Sequence, residues 1–374
     1  MPNVNELIGR FENIAANPKA QLDKALAEGK KCIGVMPCFA PEELAYALDM
    51  LPFGMWGGPG QVSESKRYYP AFICSILHSI LDSGIRGSFN GLSAVMVPMM
   101  CDAIKGMGAN WKYGVKTIPV IDVPYAQNRA ITAGIEFTKV KFGKILAQLE
   151  EIAGKKASEE DLRRAIAVYN KNRNDCMEFT KLAGLHPELI NCRQRSSILK
   201  ARYFMDRAQH SEWLSELNEG LENAPASEWK GHKVVTSGII ADADDLLAIL
   251  DENGFAIAAD QILHESVDNR CLVPENEDPI EGLAKRMADI KGTSLLFDPK
   301  KERAAELLDI AKKTGADGVI WVGTKFCDPE EFDYVPVRNL LTENDVRLLT
   351  IEIDSQTENF EQIRTAIETF KDII

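Results

Sequence analysis

Short apolar runs, each handing over to a segment of helical character, recur along the chain and restrict it to an open α/β architecture. The first, Lys31–Met36, is ended by Pro37, and Pro41-Glu42-Glu43-Leu44 then opens a helix with proline and acids in its first turn. Ala94–Met99 is too short for a typical helix and rich in Val and Met, and Thr117–Val123 adds β-branched Thr, Ile and Val. The second half repeats the signature at Lys233–Ile239, Phe255–Ala259, Gly318–Val322 and Arg347–Ile353, with Ser294–Phe297 a strand or a helix end. Helical segments separate these runs: Asp242–Asn253, Pro279–Lys291, Lys301–Thr314 and Asn359–Lys371. Such alternation predicts parallel sheets joined by right-handed crossovers.

Between the two halves the pattern is helical. Glu136–Ile152, Glu159–Asn174 and Ser196–Leu221 space their apolar residues for helices, and Ser158 with Asp161 resembles a capping box. Residues 4–29 read as a helix broken near Pro18. The expected organisation is an N-terminal helical segment (1–30), a first α/β domain (31–135), a helical bridge (136–230) and a second α/β domain (231–374). A chain of 374 residues has room for two domains and an insert. Each α/β domain is expected to be a small doubly wound, Rossmann-like parallel sheet.

Charge and motifs exclude much. A net charge of −13 leaves no basic stripe for nucleic acid and no polybasic reason to sit on an anionic membrane. The most hydrophobic stretch, Leu92–Cys101, is far shorter than the roughly 20 residues of a spanning helix and contains Pro98. Met1–Gln21 has no apolar leader pattern, so a cytoplasmic location is expected. The chain carries no G-x-x-x-x-G-K-[ST], no completed G-x-G-x-x-G after a strand, no G-x-S-x-G, no H-E-x-x-H and no C-x-x-C. An ATP site, a nicotinamide site of the usual kind and a zinc ribbon are therefore not expected.

Eight cysteines remain to be explained. In a reducing compartment each is a small buried hydrophobe, a metal ligand or a nucleophile. Cys101, in Met100-Cys101-Asp102-Ala103, and Cys327, in Lys325-Phe326-Cys327-Asp328-Pro329-Glu330, both follow strands and lead into helices, where a thiolate gains from the helix dipole. Cys74 follows a loop rich in Gly, Ser and Pro. Cys38 follows its strand just as Cys101 does, so position alone does not choose a set. Spacings of 27 residues from Cys74 to Cys101 and 226 from Cys101 to Cys327 carry almost no specificity.

Three segments together resemble the 2-hydroxyacyl-CoA dehydratase family, which includes benzoyl-CoA reductase subunits. They are Pro41-Glu42-Glu43-Leu44, Met96-Val97-Pro98-Met99-Met100-Cys101-Asp102-Ala103, and Lys325-Phe326-Cys327-Asp328-Pro329-Glu330 leading on to Leu349–Asp354. The likeness runs over nearly the whole chain and is nearest to the smaller, beta, subunit. It implies one 4Fe-4S cluster between two α/β domains, held by Cys74, Cys101 and Cys327, with a non-protein fourth ligand. It further implies a related alpha subunit carrying the substrate site and a second cluster, and a transient ATP-dependent iron–sulfur activator protein. The reaction implied is elimination of water from an (R)-2-hydroxyacyl-CoA, of which 2-hydroxyisocaproyl-CoA is the expected example, through a ketyl radical after one-electron injection. This subunit's cluster would relay or store the electron, and no acid–base residue is assigned. Where the family often has a glycine, near Ala47–Pro52, this chain has Asp49.

Plainer readings stand beside these. His78, four residues after Cys74, tunes a cofactor or is a satisfied structural histidine. Asp102 and Asp328 cap helices or shape the site, with capping preferred; the Trp56 loop with its glycines is a packed turn before it is a substrate or partner loop; and Glu275–Asp278 is a solvated loop. Cys32, Cys176, Cys192 and Cys271 are structural. A reductase-type subunit and a metal-free α/β scaffold are the alternatives in function.

Overall fold

The computed structural model describes residues 4–36, 38–58, 60–225 and 228–374; Pro37, which ends the first run, lies outside them. The chain begins with α1 (Val4–Ala16) and α2 (Pro18–Ala27), with Pro18 at the first turn of the second helix, where its missing N–H costs nothing. Then follow β1 (Cys32–Val35), the short α3 (Glu42–Tyr46), β2 (Leu51–Gly54), α4 (Ser75–Ile85), β3 (Ala94–Pro98), α5 (Asp102–Gly114) and β4 (Val120–Val123). These four strands form one parallel sheet in the order β2-β1-β3-β4. Every residue of β1, β2 and β3 is buried, as expected for parallel strands covered on both faces.

Four helices come next: α6 (Thr132–Ala153), α7 (Glu159–Leu185), α8 (Cys192–Ala201) and α9 (Arg207–Glu222). The Ser158–Asp161 capping box is present with both of its bonds. The helical character expected over Ser196–Leu221 is divided between two helices. The chain leaves helical geometry after Ala201, and the Asp206 carboxylate restarts it by accepting from the amides of Ala208 and Gln209. α1 packs into this group through Leu7, Ile8 and Phe11. Gly184 near the end of α7 lies against the second sheet so closely that a Cβ there would sit 2.3 Å from the Ala258 carbonyl oxygen.

The second sheet is built from β5 (His232–Gly238), α10 (Asp244–Glu252), β6 (Phe255–Ile262), a π-turn at Leu263–Val267, α11 (Pro279–Asp289), α12 (Glu302–Thr314), β7 (Gly318–Thr324), α13 (Asp328–Glu343), β8 (Leu348–Ile353) and α14 (Glu361–Ile373). Its order, β6-β5-β7-β8, repeats that of the first sheet. In both, the order reverses between the first and third strands of the set, and the crevice beyond their carboxyl ends is where such folds bind ligands. Ser294–Phe297 is neither strand nor helix end; it lies in a run of turns after α11. Among the described residues no helix is long and apolar enough to cross a membrane.

The helical group carries a titratable core residue. His210 is fully buried; Asn172 Nδ2 donates to its Nδ1 (2.9 Å), leaving Nε2–H for the Ile198 carbonyl (3.0 Å). Burial pushes its pKa down to about 3. An unfolded histidine takes up its proton near pH 6.5, so the unfolded state binds the proton first and stability falls as pH drops from about 6.5 towards 3. Urea midpoints at pH 7 and pH 5 are expected to show a smaller loss in His210→Asn than in the parent chain. An equal loss in both would show that His210 does not drive the acid lability.

Candidate functional site: a cysteine-lined cavity

Three helices present a cysteine at the residue just before their first turn. Cys74 caps α4, Cys101 caps α5 and Cys327 caps α13, and none of the three side chains makes a capping hydrogen bond. The amides of Ile76 and Leu77 face the Cys74 sulfur, and those of Ala103 and Ile104 face that of Cys101. Free N–H groups and the positive ends of the helix dipoles favour anionic sulfur at these positions.

All three cysteines line one cavity of about 620 Å³, together with Cys38 from the turn after β1. That volume lies within the range of small-molecule and cofactor sites. Its walls come from both sheets: Met36, Ile76, Ile80 and Met100 on one side, Ile239, Ile240, Leu296 and Phe326 on the other. Phe332 stands at the cavity and is 76% exposed.

Several backbone features hold this shape. Phe39, Phe326 and Lys301 have φ of 64°, 61° and 54°, values that non-glycine residues adopt only when their surroundings impose them. Phe39 directly follows Cys38, Phe326 directly precedes Cys327, and Lys301 is itself in the lining. The Tyr125 hydroxyl donates to the Phe39 carbonyl, and Lys301 pairs with Asp333. Arg129, between β4 and α6, points all its nitrogens at backbone: Nε to Met287 O (3.0 Å), Nη1 to Phe297 O (2.8 Å) and Nη2 to Ile290 O. It thereby ties the Ser294–Phe297 wall to the first half of the chain. Ser355, after β8, reaches back to the first turn of α4: its N–H meets Ser75 Oγ (3.2 Å) and its hydroxyl donates to Ser75 O (2.9 Å).

Burial pushes the Cys74 thiol up to about 12 and raises Cys101 and Cys327 as well; Asp102 adds to the rise of Cys101, and Glu330, Cys74 and Cys101 to that of Cys327. Burial of the sulfurs disfavours bare thiolates, whereas a positive metal centre replaces their protons. Among the described residues no three His, Cys, Asp or Glu side chains stand close enough to hold a single metal ion. A cluster of several irons spans a wider opening than one ion, and three soft sulfur donors facing a roomy cavity fit a group of that kind.

Other singled-out residues have plainer roles. His78 bonds Ser65 Oγ (3.0 Å) through Nδ1 and the Pro70 carbonyl (3.1 Å) through Nε2, as a satisfied structural histidine does. Asp102 and Asp328 are not caps; the cysteines before them are, and the Asp102 side chain is exposed and paired with Lys105. Trp56 is packed, donating to Asp242 (2.8 Å) with Lys200 over its ring. Glu275–Asp278 is more than a solvated loop: Glu275 accepts from Asn170, Glu277 pairs with Lys285, and Asp278 caps α11. Cys32, Cys176 and Cys192 are buried away from the cavity, and Cys271 is half-buried. Arg129 and the strained phenylalanines escape sequence reading, because neither a guanidinium aimed at carbonyls nor a positive φ at Phe leaves a mark in residue spacing.

The 2-hydroxyglutaryl-CoA dehydratase, D-component, family model matches residues 37–374. The chain belongs to this family. It is 40% identical to the (R)-phenyllactyl-CoA dehydratase beta subunit of Clostridium sporogenes, over the whole of both chains. It is 38% identical to the beta subunit of (R)-2-hydroxyglutaryl-CoA dehydratase of Acidaminococcus fermentans, over 98% of each. It is 36% identical to the lactoyl-CoA dehydratase subunit beta of Anaerotignum propionicum, again over the whole of both. All four cavity cysteines fall within the stretch matched to the dehydratase family. Asp49, near the place where the resemblance expects a glycine, has a φ of 57°, in the left-handed region that glycine adopts most easily.

Proposed function

We propose that this chain is the beta subunit of an (R)-2-hydroxyacyl-CoA dehydratase, a hydro-lyase that eliminates water to give a 2-enoyl-CoA. The observation that supports this most is the meeting of three cysteine-capped helix starts on one cavity between the two sheets. In this reading Cys74, Cys101 and Cys327 hold a 4Fe-4S cluster whose fourth ligand is not from the protein. When bound, the cluster supplies one-electron storage or relay. The chain's own residues do the rest: Arg129 and Ser355 fix the walls, and the helix N-termini stabilise the charge of the bound sulfurs.

A related alpha subunit carries the acyl-CoA site and a second cluster. An ATP-dependent activator injects the electron that turns the thioester into a ketyl radical and lets hydroxide leave. 2-Hydroxyisocaproyl-CoA is the first substrate to test, beside the phenyllactyl, hydroxyglutaryl and lactoyl thioesters of the relatives' names. The test is to purify the chain with its alpha subunit without oxygen, measure iron and sulfide, and assay the activated complex. About four of each per chain, with an enoyl-CoA product, is the expected result. A metal-free beta chain in an active complex would overturn the cluster assignment and leave a scaffold. Reduction of an aromatic acyl-CoA in place of dehydration would move the chain to the reductase branch.

A further inference from the structure

Cys38 is the cavity cysteine still without a task. It lies in the turn after β1, and β1 is the paired neighbour of β3, with Val35 opposite Met96. Adjacent strands run about 4.8 Å apart, so the segments that leave their carboxyl ends start side by side. Cys38 follows one end and Cys101 the other. Both line the same cavity, and charge on the Cys101 sulfur is felt at Cys38.

Its surroundings set Cys38 apart from the other cysteines. Those outside the cavity each donate to an oxygen: Cys32 to Lys30 O, Cys176 to Asn172 Oδ1, Cys192 to Phe255 O and Cys271 to Arg286 O. Among the described residues no oxygen accepts from the Cys38 sulfur. Unlike Cys74, Cys101 and Cys327, it does not stand at a helix start; α3 begins only at Glu42, behind Pro41. Burial raises its thiol well above the ordinary range, Asp268 and Glu42 raise it further, and Arg202 offsets them only in part. The turn is nevertheless fixed: Phe39, the next residue, has a φ of 64°, and its carbonyl accepts from the Tyr125 hydroxyl. A soft donor is thus held at the cavity wall with less support for negative charge than its three companions have. It suits iron, but as a weaker ligand than they are.

We propose that Cys38 is a reserve ligand for the fourth iron of the cluster, bonding it when the non-protein ligand leaves and giving way when that ligand returns. The inference rests on the function proposed above and concerns only the position that Cys74, Cys101 and Cys327 leave open. In the exchange the S–H proton departs with the leaving ligand, one iron–sulfur bond forms as the iron–ligand bond breaks, and no electron moves. The chain thereby guards the iron it holds least firmly, without closing that position for good.

The test is mild oxidation of the anaerobically purified alpha–beta complex with ferricyanide, followed by electron paramagnetic resonance and by the iron released to a chelator. Ferricyanide takes one electron as a four-iron cluster gives up its least-held iron as Fe2+, leaving a three-iron form with its own signal. The Cys327→Ser complex supplies the background from the alpha subunit. Cys38→Ser is expected to start with the parent's iron and to form the three-iron signal about 10-fold faster or more. Cys38→Ala is expected to do the same, and carries the test if the serine variant does not fold. Cys271→Ser, half-buried and outside the cavity, should match the parent. Equal rates in the parent and the Cys38 variants would overturn the inference and leave the cluster reading standing. Loss of this chain's iron from Cys38→Ser before any oxidation would also overturn it, by making Cys38 a permanent ligand. An iron-free parent chain would overturn both readings.

Discussion

Cys327→Ser protein, purified without oxygen beside its alpha subunit, is expected to lose most of this chain's iron and sulfide, from about four of each to less than about one. The expectation follows from where the residue stands. Cys327 is the one cavity cysteine supplied by the second sheet's half; Cys38, Cys74 and Cys101 all come from the first. A serine hydroxyl is a harder and less acidic donor than a thiol and does not replace it on iron. Two controls locate the effect. Cys192→Ser lies outside the cavity, where the thiol donates to the Phe255 carbonyl (3.5 Å), a bond a hydroxyl can also make. It should keep its iron. Cys38→Ser should keep it too, because Cys38 is outside the proposed ligand set of Cys74, Cys101 and Cys327. Full iron in Cys327→Ser would remove that residue from the ligand set; loss in Cys38→Ser would bring that one in.

Arg195→Met is expected to lower folding stability by about 3–5 kcal/mol, the cost of stripping one partner from a buried ion pair. Arg195, on α8, reaches Asp260 and Glu265 with its two terminal nitrogens, and all three side chains are at most 3% exposed. Without the guanidinium two carboxylates are left facing each other in the interior. Burial already pushes Glu265 up, and Arg195 is the main counterweight. The loss should reach the site, since the same π-turn carries His264, whose Nδ1 meets the carbonyl of the cavity residue Ile239 (3.3 Å). Urea denaturation of the two proteins measures the difference. Arg163→Met, which breaks an exposed pair with Glu159, should cost under about 1 kcal/mol. A similar shift in both variants would show that the buried triad is no more than a surface pair in effect.

Most strands were legible because a parallel strand buried on both faces is a run of apolar residues bounded by turns. β2 was not. Its Pro52 argues against a central strand, and the structure resolves this by placing β2 at the edge of its sheet, where proline is tolerated. α13 was legible at its start, after Cys327, but its extent was not: Pro329 sits harmlessly in its first turn, whereas Pro336 lies inside it. Ser294–Phe297 looked like a strand because Leu295, Leu296 and Phe297 are apolar; they serve instead to wall the cavity. For the site, the sequence could place Cys101 and Cys327 after strands but had no means of joining them across 226 residues. The resemblance chose the trio, and the folded chain brings its members to one cavity with Cys38 among them. The placing of the cysteines at the N-cap position was hidden because the Asp that follows each of Cys101 and Cys327 is the commoner cap.

The division of the cavity wall between the two halves also sets an order of events during synthesis. At roughly 5–20 residues per second, Cys327 leaves the ribosome's catalytic centre about 11–45 s after Cys101. The first sheet can close in that interval, because its last strand ends at Val123. Cys38, Cys74 and Cys101 then wait with one side of their pocket missing, open to oxidants and stray metal. Whatever the cavity is meant to receive must be loaded after translation is nearly done, and a nascent chain stalled before β7 is the form most in need of a chaperone.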